Sequence, residues 1–150
     1  MTSYTSKILG RSDSTLVPID LGRYRLPIGA VLVVNRGLYD HTVVFVGPDA
    51  DGDHCVASVA LGIGIEIQSM AEFARGNRIY WDISLVSNRS AEEIVRCVQS
   101  VRWTYDLASA NCEQFVRYVL GLPQNSPQVA RAVLLALSIG LVKWASEEGD

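Results

Sequence analysis

The polarity pattern of the chain changes period once. From Leu26 to Ser84 apolar residues come in short β-branched runs separated by turn residues, and from Ser90 onward they recur every three or four positions. In the first part "LPIGAVLVVNRG" reads as a strand ending in a turn, "HTVVFVG" (41–47) as a second strand and "HCVASVAL" (54–61) as a third. Between the last two lies "PDADGD" (48–53), dense in turn residues, so the pair predicts a hairpin. "GIEIQS" (64–69) predicts another strand, "MAEFARG" a short helix and "RIYWDIS" (78–84) a further strand. Residues 1–26 are more polar and read as an N-terminal arm, which leaves 27–150 as one domain.

In the second part "SAEEIVRCVQSVRWTY" (90–105) opens with Ser90 and has Glu93 three residues on, a capping-box signature, with Ile94, Val98 and Val101 at helical spacing. Cys97 lies inside that apolar pattern and reads as core. "NCEQFVRYVLG" offers Asn111 as an N-cap, places Phe115, Val116 and Val119 on one face, and stops at Gly121 with Pro123 just beyond. A third helix is expected over 126–144. Its apolar run "AVLLALSIGLV" (132–142) would extend roughly 16 Å, about half a bilayer's hydrocarbon core, so it reads as a buried terminal helix or one lying on a lipid surface. Strands followed by helices predict an α+β fold, a small antiparallel sheet of four to six strands packed against helices.

Composition narrows the functional classes. A chain of 150 residues that is 49% hydrophobic can bury the core of a single domain, and a net charge of −3 with no basic run argues against nucleic-acid binding. Cys55, Cys97 and Cys112 form no CxxC pair, so neither a zinc site nor a disulfide framework is expected. The first twenty residues contain no apolar signal-peptide core, and a reducing, cytoplasmic location is expected.

The candidate chemistry centres on Cys112. In the first turn of a helix, unpaired N–H groups and the positive end of the dipole favour a thiolate and could also hold an oxyanion. A thiol nucleophile needs a base, and the chain has two histidines, His41 and His54. Taken singly, each has an ordinary role as well, His41 as a structural residue at a strand start and His54 as a solvated turn residue.

These segments resemble the lecithin:retinol acyltransferase (LRAT)-like proteins, a branch of the permuted papain-like superfamily related to NlpC/P60 domains. "NCEQFV" is similar to the family's asparagine-cysteine-glutamate box. "LPIGAVLVVNRGLYDHTVVFVG" is similar to its block of glycine-led strand, tyrosine, histidine and a second strand ending in glycine. "SMAEFARG", "YDLASANCEQF" and "SPQVARAV" resemble further blocks in the same order, from Pro27 to Val133. The resemblance implies a permuted papain-like architecture, Cys112 as nucleophile, His41 as general base and Tyr39 as a group helping to bind the oxyanion. It implies cysteine-dependent acyl transfer or hydrolysis through a Cys112 thioester, without a metal or organic cofactor. The substrate class it suggests is a lipid ester, as for a phospholipase or acyltransferase, with peripheral membrane contact through the apolar C-terminal helix.

The chain departs from the family pattern at two places. Gln114 stands where the family commonly has a histidine, and an amide cannot take up a proton at neutral pH. The family's third polar group, a second histidine on the returning strand, has two candidates, Ser58 and His54. If the turn spans 48–53, Gly47 pairs with His54 and Val43 with Ser58, which would leave His54 some 20 Å from His41 and favour Ser58. Two other functional classes fit the cysteine box. One is a thiol peptidase or isopeptidase of the permuted papain-like class, and the other is a non-catalytic binding or regulatory domain that kept the fold.

Overall fold

The computed structural model describes residues 15–20, 25–37, 40–60, 62–104 and 112–124. Among them run the strands β1 (Leu16–Pro18), β2 (Val31–Asn35), β3 (Asp40–Pro48), β4 (His54–Ala60), β5 (Gly64–Ser69) and β6 (Tyr80–Asp82), with the helices α1 (Met70–Ala74), α2 (Ala91–Ser100) and α3 (Cys112–Val119). The six strands form one sheet in the order β1-β6-β2-β3-β4-β5, and every neighbouring pair is antiparallel. The fold is thus α+β, as the change of period predicts. β1 is an addition to that picture: three residues of the expected polar arm pair with β6, Leu16 opposite Asp82. So short a strand has no alternation to betray it. The expected third helix lies outside the described residues, and among these no helix is long and apolar enough to cross a membrane.

The β3–β4 hairpin departs from the expected register by one residue. His54 pairs with Pro48 rather than Gly47, and Gly47 pairs with Cys55. A bulge between Phe45 and Gly47 absorbs the slip, and Gly47 supplies the positive φ of 95° that such a bulge asks of its backbone. Below the bulge Val44 faces Ala57, so Val43 falls opposite Ser58 as the sequence predicts. The turn is closed by Asp49, whose N–H donates to Asp53 O at 2.8 Å while its carboxylate accepts from the N–H groups of Asp51 and Asp53.

Alternation along the strands gives the sheet two apolar faces. On one, Val31, Val44, Ala57 and Val59 pack against Ile94 and Val98 of α2 and Phe115, Val116 and Val119 of α3. On the other, Leu32, Val34, Val43 and Val56 pack against Met70 and Phe73 of α1. Both α1 and α2 begin in full capping boxes, Ser69 with Glu72 and Ser90 with Glu93. α2 ends at Ser100, short of the predicted Tyr105, because Val101 turns extended. The chain beyond it brings the Trp103 ring onto Phe115 and Tyr118, at centroid distances of 5.6 and 5.3 Å.

Gly29 is where both long helices meet the sheet. Its φ is +95°, and an added Cβ would lie 2.7 Å from Ile94 Cδ1. Gly29→Ala is therefore expected to cost about 1–3 kcal/mol, from left-handed strain and from overpacking against α2. The shift in urea midpoint measures it.

Candidate active site

Cys112 is the first residue of α3, where the capping of a helix leaves N–H groups to satisfy, and its side chain is buried. Two contacts fix where this end of α3 lies. At the far end of the helix, Leu120 Cδ2 is 3.6 Å from a Cβ built on Gly29, whose N–H donates to Phe45 O. At the near end, Phe115 packs on Trp103, and the Trp103 carbonyl would sit 3.0 Å from a Cβ on Gly64. Gly64 pairs with Ala60, and three steps beyond the paired residues Val44 and Ala57 the register carries Ala60 to the level of His41. The thiol of Cys112 and the start of β3 therefore lie at the same end of the sheet.

They lie on different faces of it. His41 shares its face with Val43 and Phe45, the face that α1 covers, and its ring packs on Phe73 with centroids 5.7 Å apart and planes tilted by 52°. α3 sits over the opposite face, the one that carries Thr42 and Val44. Besides its ladder partner Val34, His41 meets this ring and the charges of Arg36 and Arg75. Burial, chiefly, and then the two guanidinium groups lower the imidazole's pKa from 6.5 to about 4. His41 is thus neutral throughout the physiological range.

That shift has a stability consequence with a definite sign. The unfolded chain binds a proton at His41 below about pH 6.5, while the folded chain resists it until about pH 4. The stabilisation is complete above the unfolded value and is lost as pH falls through this window, to a total of roughly 3 kcal/mol. Between pH 7 and 4 the unfolding free energy of wild type should fall by roughly 3 kcal/mol more than that of His41→Gln.

Two buried hydroxyls near His41 have no hydrogen-bond partner among the described residues, Ser58 Oγ and Thr42 Oγ1, and both residues are 0% exposed. Ser58 is on the His41 face, opposite Val43 and hence diagonal to the imidazole. Thr42 points to the α3 face. His54 is exposed at the other end of β3, paired with Pro48 and tilted against Phe45. Seven strand positions separate it from His41, roughly 20 Å. The structure therefore brings Ser58 to the neighbourhood of His41 and leaves His54 away from it. Tyr39 and the expected N-cap Asn111 lie outside the described residues. Gln114 Nε2 donates to the Gln124 carbonyl at 3.5 Å, which ties it to the turn after α3.

Three residues that the sequence reading did not single out shape this region. Glu113, 2% exposed, follows the thiol in the first turn of α3 and accepts from Arg117 Nε at 3.5 Å. The i,i+4 spacing of that pair is legible in the sequence. Phe73 and Arg36 flank His41 from α1 and from the end of β2, and only tertiary packing brings them there. The other cysteines are placed for packing: Cys97 is buried in α2, while burial and the carboxylates of Asp49 and Asp53 push the Cys55 thiol up. Among the described residues no group of three or more His, Cys, Asp or Glu side chains is arranged to hold a metal ion.

Comparison with protein families matches residues 24–121 to lecithin retinol acyltransferase. The matched span contains β2 through α3, and with them His41, Ser58 and Cys112. No curated protein and no solved structure matches the chain.

Proposed function

This chain belongs to the lecithin retinol acyltransferase family, and from that premise we propose that it is a thiol-dependent acyltransferase or hydrolase acting on lipid esters, with Cys112 as nucleophile and His41 as base. The observation that carries the reading is Cys112 itself, a buried thiol opening an amphipathic helix inside the family match, at the end of the sheet where β3 begins. The positive end of α3 favours negative charge on sulfur. His41, neutral at physiological pH, is able to accept a proton.

In the proposed reaction His41 takes the thiol proton as Cys112 Sγ attacks the ester carbonyl carbon. Backbone N–H groups at the start of α3, with Tyr39, hold the oxyanion. Its collapse breaks the C–O bond, the alcohol leaves with the proton from His41, and a thioester remains on Cys112. Water or a second nucleophile then gives up a proton, attacks the thioester and releases the acyl group. The imidazole rests on Phe73 on the opposite face from α3, so the proposed dyad requires His41 to leave that ring.

That separation, together with Gln114 in place of the family histidine, also favours a second reading, a domain of this fold that binds without turning over. A short-chain phosphatidylcholine separates the two. Lysolipid and fatty acid formed by wild type and not by His41→Ala support the enzyme, whereas binding of the lipid without either product supports the non-catalytic domain.

A further inference from the structure

We propose that Arg36 is a positioning residue for His41: by bonding the last carbonyls of α1 it fixes the Phe73 ring against the imidazole and sets a permanent positive charge beside it. The inference rests on the reading of His41 as the base and adds the device that governs its resting position. The contacts form one chain. The Arg36 guanidinium donates through one nitrogen to Phe73 O and through another to Ala74 O at 3.4 Å. The same guanidinium carbon lies 6.0 Å from the centre of the Phe73 ring, and that ring meets His41 at 5.7 Å.

The physical logic follows from the helix. α1 has five residues, too few to be stable by its own hydrogen bonds, and its terminal carbonyls need donors. Arg75 N–H takes Ala71 O, at a left-handed φ of 48°. Ala74 O also accepts from Asn77 N–H at 2.9 Å, and Arg36, just past β2, bonds both Phe73 O and Ala74 O, the planar fork of a guanidinium suiting two acceptors at once. Phe73 is thereby held through its own backbone as well as by a cation–π contact.

Among the described residues the other charges around His41 leave this effect unopposed. Arg75 adds a second positive charge from the end of α1. Asp40, adjacent in β3, points to the opposite face, and its carboxylate accepts from Asn35 Nδ2 at 3.1 Å. Glu72 of α1 is turned to Ser69 at the helix start. Glu66 of β5 shares the His41 face through its pairing with Ser58, but it is two strands away, roughly 10 Å. β2 and β4 otherwise present Val34 and Val56 to this face.

The test is a proton NMR titration of His41 in the full chain, with the exposed His54 as internal reference. Arg36→Gln should raise the His41 pKa by about half a unit or more and shrink the upfield ring-current displacement of its Hε1. Arg36→Lys, which keeps the charge and loses the fork, should shrink the displacement and move the pKa less. Arg75→Gln should raise the pKa and leave the displacement as in wild type. An unchanged ring-current displacement in both Arg36 variants would overturn the proposal, and the Lys variant decides the matter if the Gln variant does not fold. Because no turnover is measured, failure of the catalytic reading would show elsewhere, in the absence of lysolipid.

Discussion

Cys112→Ala is expected to fold and to lose acyl transfer by on the order of 10⁴-fold or more. The substitution removes the only atom to which the acyl group is proposed to be bonded, and nothing else in the first turn of α3 can form a thioester. Losses of this size are usual when the nucleophile of a covalent mechanism is deleted, because what is left is binding and oxyanion stabilisation alone. The structural cost is small by comparison. A buried Sγ is replaced by a methyl-sized void, worth about 1 kcal/mol, while the helix keeps its apolar stripe of Phe115, Val116 and Val119 on the sheet. Circular dichroism and urea unfolding check the fold, and lysolipid release checks the chemistry. Cys112→Ser keeps a polar group of similar size, and it should still lose most activity, since a hydroxyl is a far weaker nucleophile than a thiolate. Neither Cys55 nor Cys97 should matter: Cys55→Ala and Cys97→Ala are expected to retain turnover.

Phe73→Ala should be the most destabilising single substitution in α1, at about 3–5 kcal/mol. Phe73 is 0% exposed and joins α1 to Leu32, Val34, Val43 and Val56 on its face of the sheet. A five-residue helix has little else to hold it, and its capping box contributes only about 1 kcal/mol. The same substitution uncovers one side of His41, so the imidazole gains water and its pKa should move up from about 4 toward 6.5. Urea unfolding gives the first number and histidine titration the second. A loss below 1 kcal/mol with an unshifted titration would mean that α1 is not docked as described.

Much of this architecture is legible in the sequence because the signals are local. β5 falls at 64–69 as the sequence predicts, since glycines precede it and a helical segment follows it, and the capping box at Ser90 marks where α2 starts. The pairing of Val43 with Ser58 was reachable by counting from the turn, even though a bulge at Gly47 shifts the pairs beyond it. β1 was not reachable, because three residues paired with β6 acquire their strand character from a partner more than sixty positions away. The end of α2 is not legible in the same way, because helical spacing runs on through Val101 while the chain there turns extended and carries Trp103 onto Phe115.

The candidate site divides the same way. Cys112 could be picked out by its place at a helix start, and His41 by its place before a β-branched strand. Which face of the sheet His41 occupies follows from alternation only once the face covered by α3 is known. Arg36 and Phe73 carry no local mark of their meeting, since they are 37 positions apart and are joined by a side chain reaching a backbone carbonyl. A motif reading therefore picks out the proposed reacting atoms and overlooks what packs against the proposed base.

The measurement that bears most directly on the central claim is intact-mass spectrometry of the full chain after brief exposure to a short-chain phosphatidylcholine, with Cys112→Ala and His41→Ala alongside. Thiol-dependent acyl transfer predicts one added acyl mass on wild type, removed by hydroxylamine, with none on Cys112→Ala and far less on His41→Ala. An adduct of equal yield on Cys112→Ala, or no adduct and no lysolipid from wild type, would contradict it.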